Sequence, residues 1–191
     1  TLPHSVLNAL AAAALARSVH VSYADIQSAL IDFHPGRHRI ESILNSDGVS
    51  WIDDSKATNP HAASASIMSH LSVVWIAGGL AKGADMDWLV ERTKDRIKAV
   101  ILIGQDQMLI ESALLKIAPA IPIVKIDIDH TKGELSNFLM ESVVKAAQKF
   151  VASGDTVLLA PACASMDQFI SYADRGDRFA AAVRKLVANE A

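Results

Sequence analysis

Residues 49–60 read VSWIDDSKATNP, and the succession of residue types in this stretch decides how the chain folds. Val49 to Asp53 alternates apolar and polar residues and is rich in β formers, so it reads as a strand. Asp54 to Asn59 is polar and reads as a loop. Thr58 or Asn59 can cap a helix, and Pro60 suits the first helical position, where the missing N–H costs nothing. A helix start presents free N–H groups and a partial positive charge that favour an anion. Lys56 adds a full charge and Thr58 a hydroxyl. One reading is therefore a carboxylate or phosphate site. The other is a well-made helix start with a solvated lysine, and the segment alone leaves both open.

Upstream, residues 39–46 (RIESILNS) also alternate, and Asp47-Gly48 separates them from the strand at 49–53. That is a hairpin with a type I′ turn. Further back, residues 5–17 and 23–32 read as two helices, the second capped by Ser22. Phe33-His34-Pro35-Gly36 breaks helix. The change of pattern divides residues 1–35 from residues 36–191. Downstream, short apolar runs at 72–77, 99–103, 121–126 and 156–160 alternate with helical patterns near 60–69, 86–97, 107–117 and 133–152. A last helix is predicted over 173–189. This alternation predicts an α/β, Rossmann-like, mostly parallel sheet with helices on both faces.

Three loops then share a position. Asp54–Asn59, Gly78–Asp85 and Pro161–Ser165 each follow a predicted strand, and the carboxyl ends of strands in an open sheet form the ligand crevice. They are expected on one rim. The second loop places Gly78, Gly79 and Gly83 around Lys82, and glycine lets backbone approach a ligand closely. Gly78 and Gly83 have phosphate-loop spacing, but Ala84-Asp85 stands where Lys-Ser or Lys-Thr is required. A nucleotide cradle is not expected there; an ordinary turn and a clamp for a small acid remain. In the third loop Cys163 reads as a packed small residue and Ser165 as a helix cap or a carboxylate donor. His38-Arg39, just after the Pro35-Gly36 break, is either a surface basic pair or a phosphate contact.

Composition narrows the class. The chain has 191 residues, 51% of them hydrophobic, with only 5% aromatic, so aliphatic residues must build the core. A net charge of -3 without a basic stripe speaks against a nucleic-acid partner. One cysteine excludes a disulfide framework, and none of the seven histidines has zinc-site spacing, so no metal ligands are expected in this chain. No apolar run is long enough for a bilayer, and no basic leader precedes one, so no membrane partner is expected. A cytoplasmic, monomeric protein is the expectation. The first residue is Thr1, which fits a chain cut from something longer.

Taken together, the residues resemble the D-glutamate-adding branch of the Mur ligase family. Gly48 to Asn59 (GVSWIDDSKATN) resembles the opening of its C-terminal domain, and Leu158 to Phe169 (LLAPACASMDQF) its late motif, continued by Tyr172, Arg175-Gly176 and Phe179. His4 and Asn8 resemble the end of the central ATP-binding domain, and Gly36 to Glu41 the junction. The resemblance covers essentially the whole chain. It implies that residues 1–35 are a helical remnant of the central ATPase domain and residues 36–191 the D-glutamate-binding domain. The implied activity is ATP- and Mg2+-dependent addition of D-glutamate to UDP-N-acetylmuramoyl-L-alanine through an acyl phosphate, in peptidoglycan synthesis.

Residue by residue, the resemblance gives Thr58, Lys82 and Ser165 the D-glutamate carboxylates, with Met166 and Tyr172 (where the family often has Phe) beside them. Lys56 and His38 become the catalytic pair, Lys56 near the reacting carboxylate and His38 on the nucleotide side. Asn8 would touch adenine, Asp54 the ribose and Arg39 the phosphates. The chain departs from the family at His4-Ser5, where His-Asn is frequent. The family's phosphate loop, magnesium ligands and modified lysine lie upstream of the matched region. The chain by itself is therefore not expected to turn over ATP. Alternatives are another Mur ligase, a folylpolyglutamate synthetase-like ligase, or a non-catalytic Rossmann-like binding module.

Overall fold

The computed structural model describes residues 3–127 and 134–188. The chain divides into two compact units, Thr1–Gly36 and Arg37–Ala191. The first holds α1 (Pro3–Ser18) and α2 (Tyr23–Asp32). Ser22 caps α2 by accepting the Asp25 N–H, as its position before the helix predicts. The Arg17 guanidinium lies 4.2 Å over the Tyr23 ring and closes the turn between the two helices.

The second unit begins with β1 (Glu41–Ser46) and β2 (Val49–Asp53). The hairpin turn has positive φ at both Asp47 (53°) and Gly48 (76°), which is the type I′ geometry that Asp-Gly favours. Then follow α3 (Pro60–Ile67), β3 (Val73–Gly78), α4 (Met86–Thr93), β4 (Ile97–Ile103), α5 (Gln107–Ile117), β5 (Ile123–Lys125), α6 (Glu134–Gln148), β6 (Thr156–Leu159) and α7 (Tyr172–Leu186). The element order is the predicted one. The boundaries move where local geometry intervenes. β1 starts at Glu41 because His38 and Ile40 sit in the left-handed region, with φ of 63° and 51°. A short 3-10 turn over Lys94–Arg96 replaces the end of the helix predicted to 97. Residue 133 and residue 189, at the predicted ends of two helices, lie outside the described residues.

The sheet order is β1-β2-β6-β3-β4-β5, parallel except for β1. Progress from β2 through β5 runs in one direction, so right-handed crossovers place α3, α4 and α5 on one face. The return from β5 to β6 reverses direction and places α6 on the other face, with α7 following. The core divides accordingly. Ile67, Leu89 and Leu114 from the first three helices pack with Trp75 and Leu102 on one face. Val143, Val144, Phe179 and Val183 from α6 and α7 pack with Trp51 and Ile101 on the other. Every residue of β3 and β6 is buried, the pattern expected of central strands covered on both faces.

This topology seats β6 between β2 and β3. The connections leaving β2 and β3 go to one face and the connection leaving β6 goes to the other. A crevice opens at such a switch point. The three polar loops of the sequence analysis thus leave three adjacent strands. At the opposite end of the sheet, Asp155 ties the strand starts together. It accepts from Ser72 Oγ at 2.6 Å, Lys98 Nζ at 2.5 Å and the Ala152 N–H at 2.7 Å.

Burial raises the Asp155 carboxyl, but the bonds from Lys98, Ser72 and Ala152 outweigh it and hold the group below its ordinary value. A depressed folded-state value contributes stability that is present above the unfolded value of about 3.9 and is lost as pH falls through the folded value. Urea titrations from pH 6 to pH 2 are expected to show that loss, and Asp155→Asn is expected to flatten it. An unchanged pH slope in the variant would count against the staple.

Candidate functional site

The three rim loops are bonded to one another. The Ala162 N–H donates to Ala57 O at 2.9 Å, joining the loop after β2 to the loop after β6. Leu80 and Ala164 exchange backbone bonds at 2.9 and 3.0 Å, joining the loop after β3 to the same partner. Two carboxylates reinforce the frame: Asp106 accepts the Ala81 N–H and Asp167 the Gln105 N–H, each at 2.8 Å. Lys82 therefore follows a segment pinned on both sides, and it holds a left-handed φ of 52°.

Arg175 is the strongest link. Its side chain is fully buried at 0% exposure. Nε donates to Ser55 Oγ at 2.9 Å, Nη2 to Ser55 O at 2.9 Å and Nη1 to Cys163 O at 3.2 Å. Ser55 Oγ in turn donates to Tyr172 O at 2.7 Å. Burial pulls the guanidinium down to about 10, still a cation at neutral pH. The same environment pushes the Cys163 thiol up to about 12, chiefly through burial. Cys163 is a packed, unionised residue and not a nucleophile.

A second chain of contacts runs through His38. The residue is 3% exposed, so it is no member of a surface basic pair, although Arg39 beside it is exposed. Its N–H donates to a Glu41 carboxylate oxygen at 2.9 Å and its carbonyl accepts the Lys56 N–H at 3.1 Å. Nδ1 lies 2.7 Å from Asp53 Oδ2. Burial raises the Asp53 carboxyl, against the bonds from His38 and Ser55 that lower it. The His38 ring meets Tyr172 edge-on at 6.2 Å, and Lys56 Nζ sits 3.8 Å over the same Tyr172 ring. Tyr172, expected beside D-glutamate, thus stacks between the two residues expected to be catalytic. His38, Glu41 and Asp53 bring donor atoms within 4.8 Å of one another. These atoms are already paired, and a Cβ on Gly176 would stand 2.2 Å from His38 Nδ1 and 2.5 Å from Asp53 Oδ2. The α7 backbone fills the space, so the group does not fit a magnesium ion.

The remaining site residues are placed as follows. Asn59 caps α3 by accepting the Ala62 N–H at 3.0 Å, which leaves the Thr58 hydroxyl without a partner among the described residues. Lys82 is exposed and makes no ion pair among them. Asp85 caps α4 through the Trp88 N–H, so a carboxylate already occupies that helix start and no phosphate cradle exists there. Ser165 is buried at 3% and opens a tight turn through the Phe169 N–H; Ser171, not Ser165, caps the last helix. The Asp167 carboxylate, which would have followed such a cap, is drawn away to Gln105. Met166 is 63% exposed. Asp54 is buried and Oδ1 accepts the Ile40 N–H. Asn8 is exposed on α1 in the first unit. The His4 side chain and His130 lie outside the described residues.

Sequence reasoning gave no role to Asp53, Ser55 or Arg175. A signal for Arg175 was available: Arg175, Phe179 and Val183 are spaced at i, i+4 and i+8, so a charge interrupts the buried stripe of α7.

Residues 38–163 match the family described as Mur ligase, glutamate ligase domain. The chain is 51% identical over 184 residues to a UDP-N-acetylmuramoylalanine--D-glutamate ligase of Streptomyces avermitilis, covering 96% of this chain and 38% of the relative. A protein of the same name from Frankia casuarinae is 53% identical over 184 residues, covering 96% of this chain and 37% of the relative. The chain thus spans about two fifths of the length of these curated relatives. A pseudomurein peptide ligase type C from Methanothermus fervidus superposes with a TM-score of 0.68 at 18% identity, covering 95% of this chain and 36% of that one. A UDP-N-acetylmuramate-alanine ligase from Thermotoga maritima gives 0.62 at 17%, covering 97% and 39%. These two likenesses concern the fold.

Replacing Arg175 by Met strands three buried acceptors, at about 1–3 kcal/mol each, and part of that is offset by relief of the buried charge. A net loss of about 2–4 kcal/mol in urea unfolding is expected. Lys at 175 is expected to recover less than half, since an ammonium lacks the planar fork. Unchanged stability of the Met variant would refute the assigned role.

Proposed function

This chain belongs to the Mur ligase family through its glutamate ligase domain, and from that premise we propose that it is the D-glutamate-binding part of an ATP-dependent ligase. The ligase joins D-glutamate to UDP-N-acetylmuramoyl-L-alanine in peptidoglycan synthesis. The observation that carries the reading is the rim itself. Lys82, Thr58 and Ser165 stand on three bonded loops with side-chain polar groups that make no bond among the described residues. A dianionic amino acid needs a cation and hydroxyl donors held ready before it arrives.

In this reading the cationic Lys82 takes one carboxylate, and the Thr58 and Ser165 hydroxyls take the other. Lys56 rests on the Tyr172 ring at 3.8 Å until a carboxylate or phosphate offers a stronger partner. Its ammonium then offsets charge as the acceptor carboxylate is phosphorylated and as the amine of D-glutamate displaces phosphate. His38 stands behind it through the bond from the Lys56 N–H. Arg39 would meet phosphates and Asp54 the ribose. ATP supplies the phosphoryl group that activates the carboxylate, with magnesium as its counter-ion. Asn8 on α1 is assigned to adenine. The names of the relatives at about 50% identity support this choice of amino acid.

The direct test is Lys82→Ala in the complete ligase. Loss of one charge-assisted contact of about 1.5–3 kcal/mol is expected to raise the D-glutamate KM about 10- to 100-fold. The KM for the UDP-linked acceptor is expected to stay within about twofold, since only ground-state binding of the amino acid is removed. An unchanged D-glutamate KM would remove Lys82 from the pocket. Ligation of L-glutamate to a pteroate, with none of D-glutamate, would replace the whole assignment.

A further inference from the structure

The proposed function draws on the loops after β2, β3 and β6. The loop after β4, Gly104-Gln105-Asp106, has no part in it, yet it packs directly on the loop that carries Lys82. A Cβ on Gly104 would run into the Gly79 backbone, and a Cβ on Gly79 would run into the Ala164 carbonyl. The loop after β3 is therefore wedged between its two neighbours. Asp106 stands at the start of α5, where Asp is a favoured cap, but its side chain makes no capping bond to that helix. It turns to the neighbouring loop instead. Oδ2 accepts the Ala81 N–H at 2.8 Å, and the Asp106 N–H donates to Gly79 O at 3.1 Å. One residue thus grips the Lys82 loop at two points. Asp106 is itself held, because the adjacent Gln105 N–H donates to Asp167 Oδ2 at 2.8 Å.

The segment that Asp106 grips is a strained one. The Ala84 N–H donates to Ala81 O at 3.0 Å, which closes a four-residue turn with Lys82 and Gly83 at its corners. Both corners have positive φ, 52° at Lys82 and 74° at Gly83. Asn, Asp or Gly usually fills the first corner of a turn with these signs, and Lys pays the steric penalty of its Cβ there. Released, Lys82 would favour the right-handed or extended backbone, and its side chain would leave the loop in another direction. The bond at Ala81, the residue that opens the turn, opposes that release. We infer that Asp106 is a positioning residue for D-glutamate binding, one that forgoes the cap of α5 to lock the turn presenting Lys82; the inference rests on the proposed role of Lys82. Its effect falls on capture of the amino acid and not on the chemical step, because Lys82 is assigned to a carboxylate that does not react.

Two variants separate the clasp from the helix start. Asp106→Ser keeps a favoured cap for α5 but is too short to reach Ala81, whereas Asp106→Asn keeps both the cap and an oxygen for the Ala81 N–H. In the complete ligase, Asp106→Ser is expected to raise the D-glutamate KM about 5- to 10-fold, with kcat and the KM for the UDP-linked acceptor each within about twofold. Asp106→Asn is expected to stay within about twofold of wild type. In a Lys82→Ala background the Ser change is expected to cost less than about twofold, because the residue that it positions is gone. An unchanged KM in Asp106→Ser, or a rise of equal size without Lys82, overturns the inference. So does an Asn variant as impaired as the Ser variant. If the Ser variant does not fold, Asp106→Gly, also tolerated at a helix cap, enters the same cycle. Amide hydrogen exchange in the 191-residue chain reads the clasp without substrate. Ala81 is expected to exchange about tenfold faster in Asp106→Ser and at the wild-type rate in Asp106→Asn, and equal rates in all three overturn the inference. If Lys82→Ala leaves the D-glutamate KM unchanged, the proposed role of Lys82 falls and the inference with it. If Lys82→Ala raises that KM and Asp106→Ser does not, the inference alone falls.

Discussion

The site depends on one buried cation. Among the described residues Arg175 has no carboxylate within its bonding shell; its contacts are a hydroxyl and two carbonyls, from Ser55 and Cys163. Burying a guanidinium among neutral acceptors costs several kcal/mol in solvation, and only well-aligned bonds offset it. The same three bonds hold the loop after β2 and the loop after β6 at a fixed separation. Lys56 and Thr58 hang on the first loop and Ser165 on the second. A carboxylate beside Arg175 would have made the interior cheaper to form. It would also have cancelled positive charge behind the loops that carry Lys56 and Lys82.

Strain collects around the same frame. Among non-glycine residues, His38, Ile40, Lys82 and Ala162 all adopt left-handed φ values, between 51° and 63°. Each costs on the order of 1 kcal/mol and persists only where surrounding contacts over-determine it. Those contacts are identifiable. Glu41 and Lys56 hold the His38 backbone, Asp106 and the Leu80–Ala164 bridge hold the Lys82 loop, and Ala57 holds Ala162. Loops held in this way leave less ordering to be done when a ligand binds.

Most of the fold was legible because its determinants are local. Asp47-Gly48 specified the hairpin turn, Ser22 and Asn59-Pro60 specified helix starts, and aliphatic runs specified central strands. The shared rim was legible too, since it follows from strand direction alone. What stayed hidden involves long sequence separation. Arg175 meets Ser55 across 120 residues, and no periodicity in α7 names its partner. His38 read as a surface residue because its polarity and its Pro-Gly neighbour say nothing of the β2 strand and α7 that bury it. Ser165 read as a cap because Ser-Met-Asp has that composition, yet Asp167 was already engaged by Gln105 on the next loop.

The resemblance proposes which residues face substrate but is silent on how they are held, and the holding changes what they can do. Lys56 is a solvated ammonium on paper. In the fold its head group lies on Tyr172, whose ring also meets His38 and whose carbonyl accepts from Ser55. A lysine parked on an aromatic face has given up part of its hydration to the ring, so an incoming anion displaces less water than it would from a free ammonium. Lys82 has no such partner among the described residues and stays exposed on its loop. The two lysines therefore suit different tasks. In the proposed function Lys82 captures a carboxylate from solution. Lys56, tied to Tyr172 and through its backbone to His38, is the one proposed to act where charge shifts between phosphate and carboxylate, because its position is set before either group arrives.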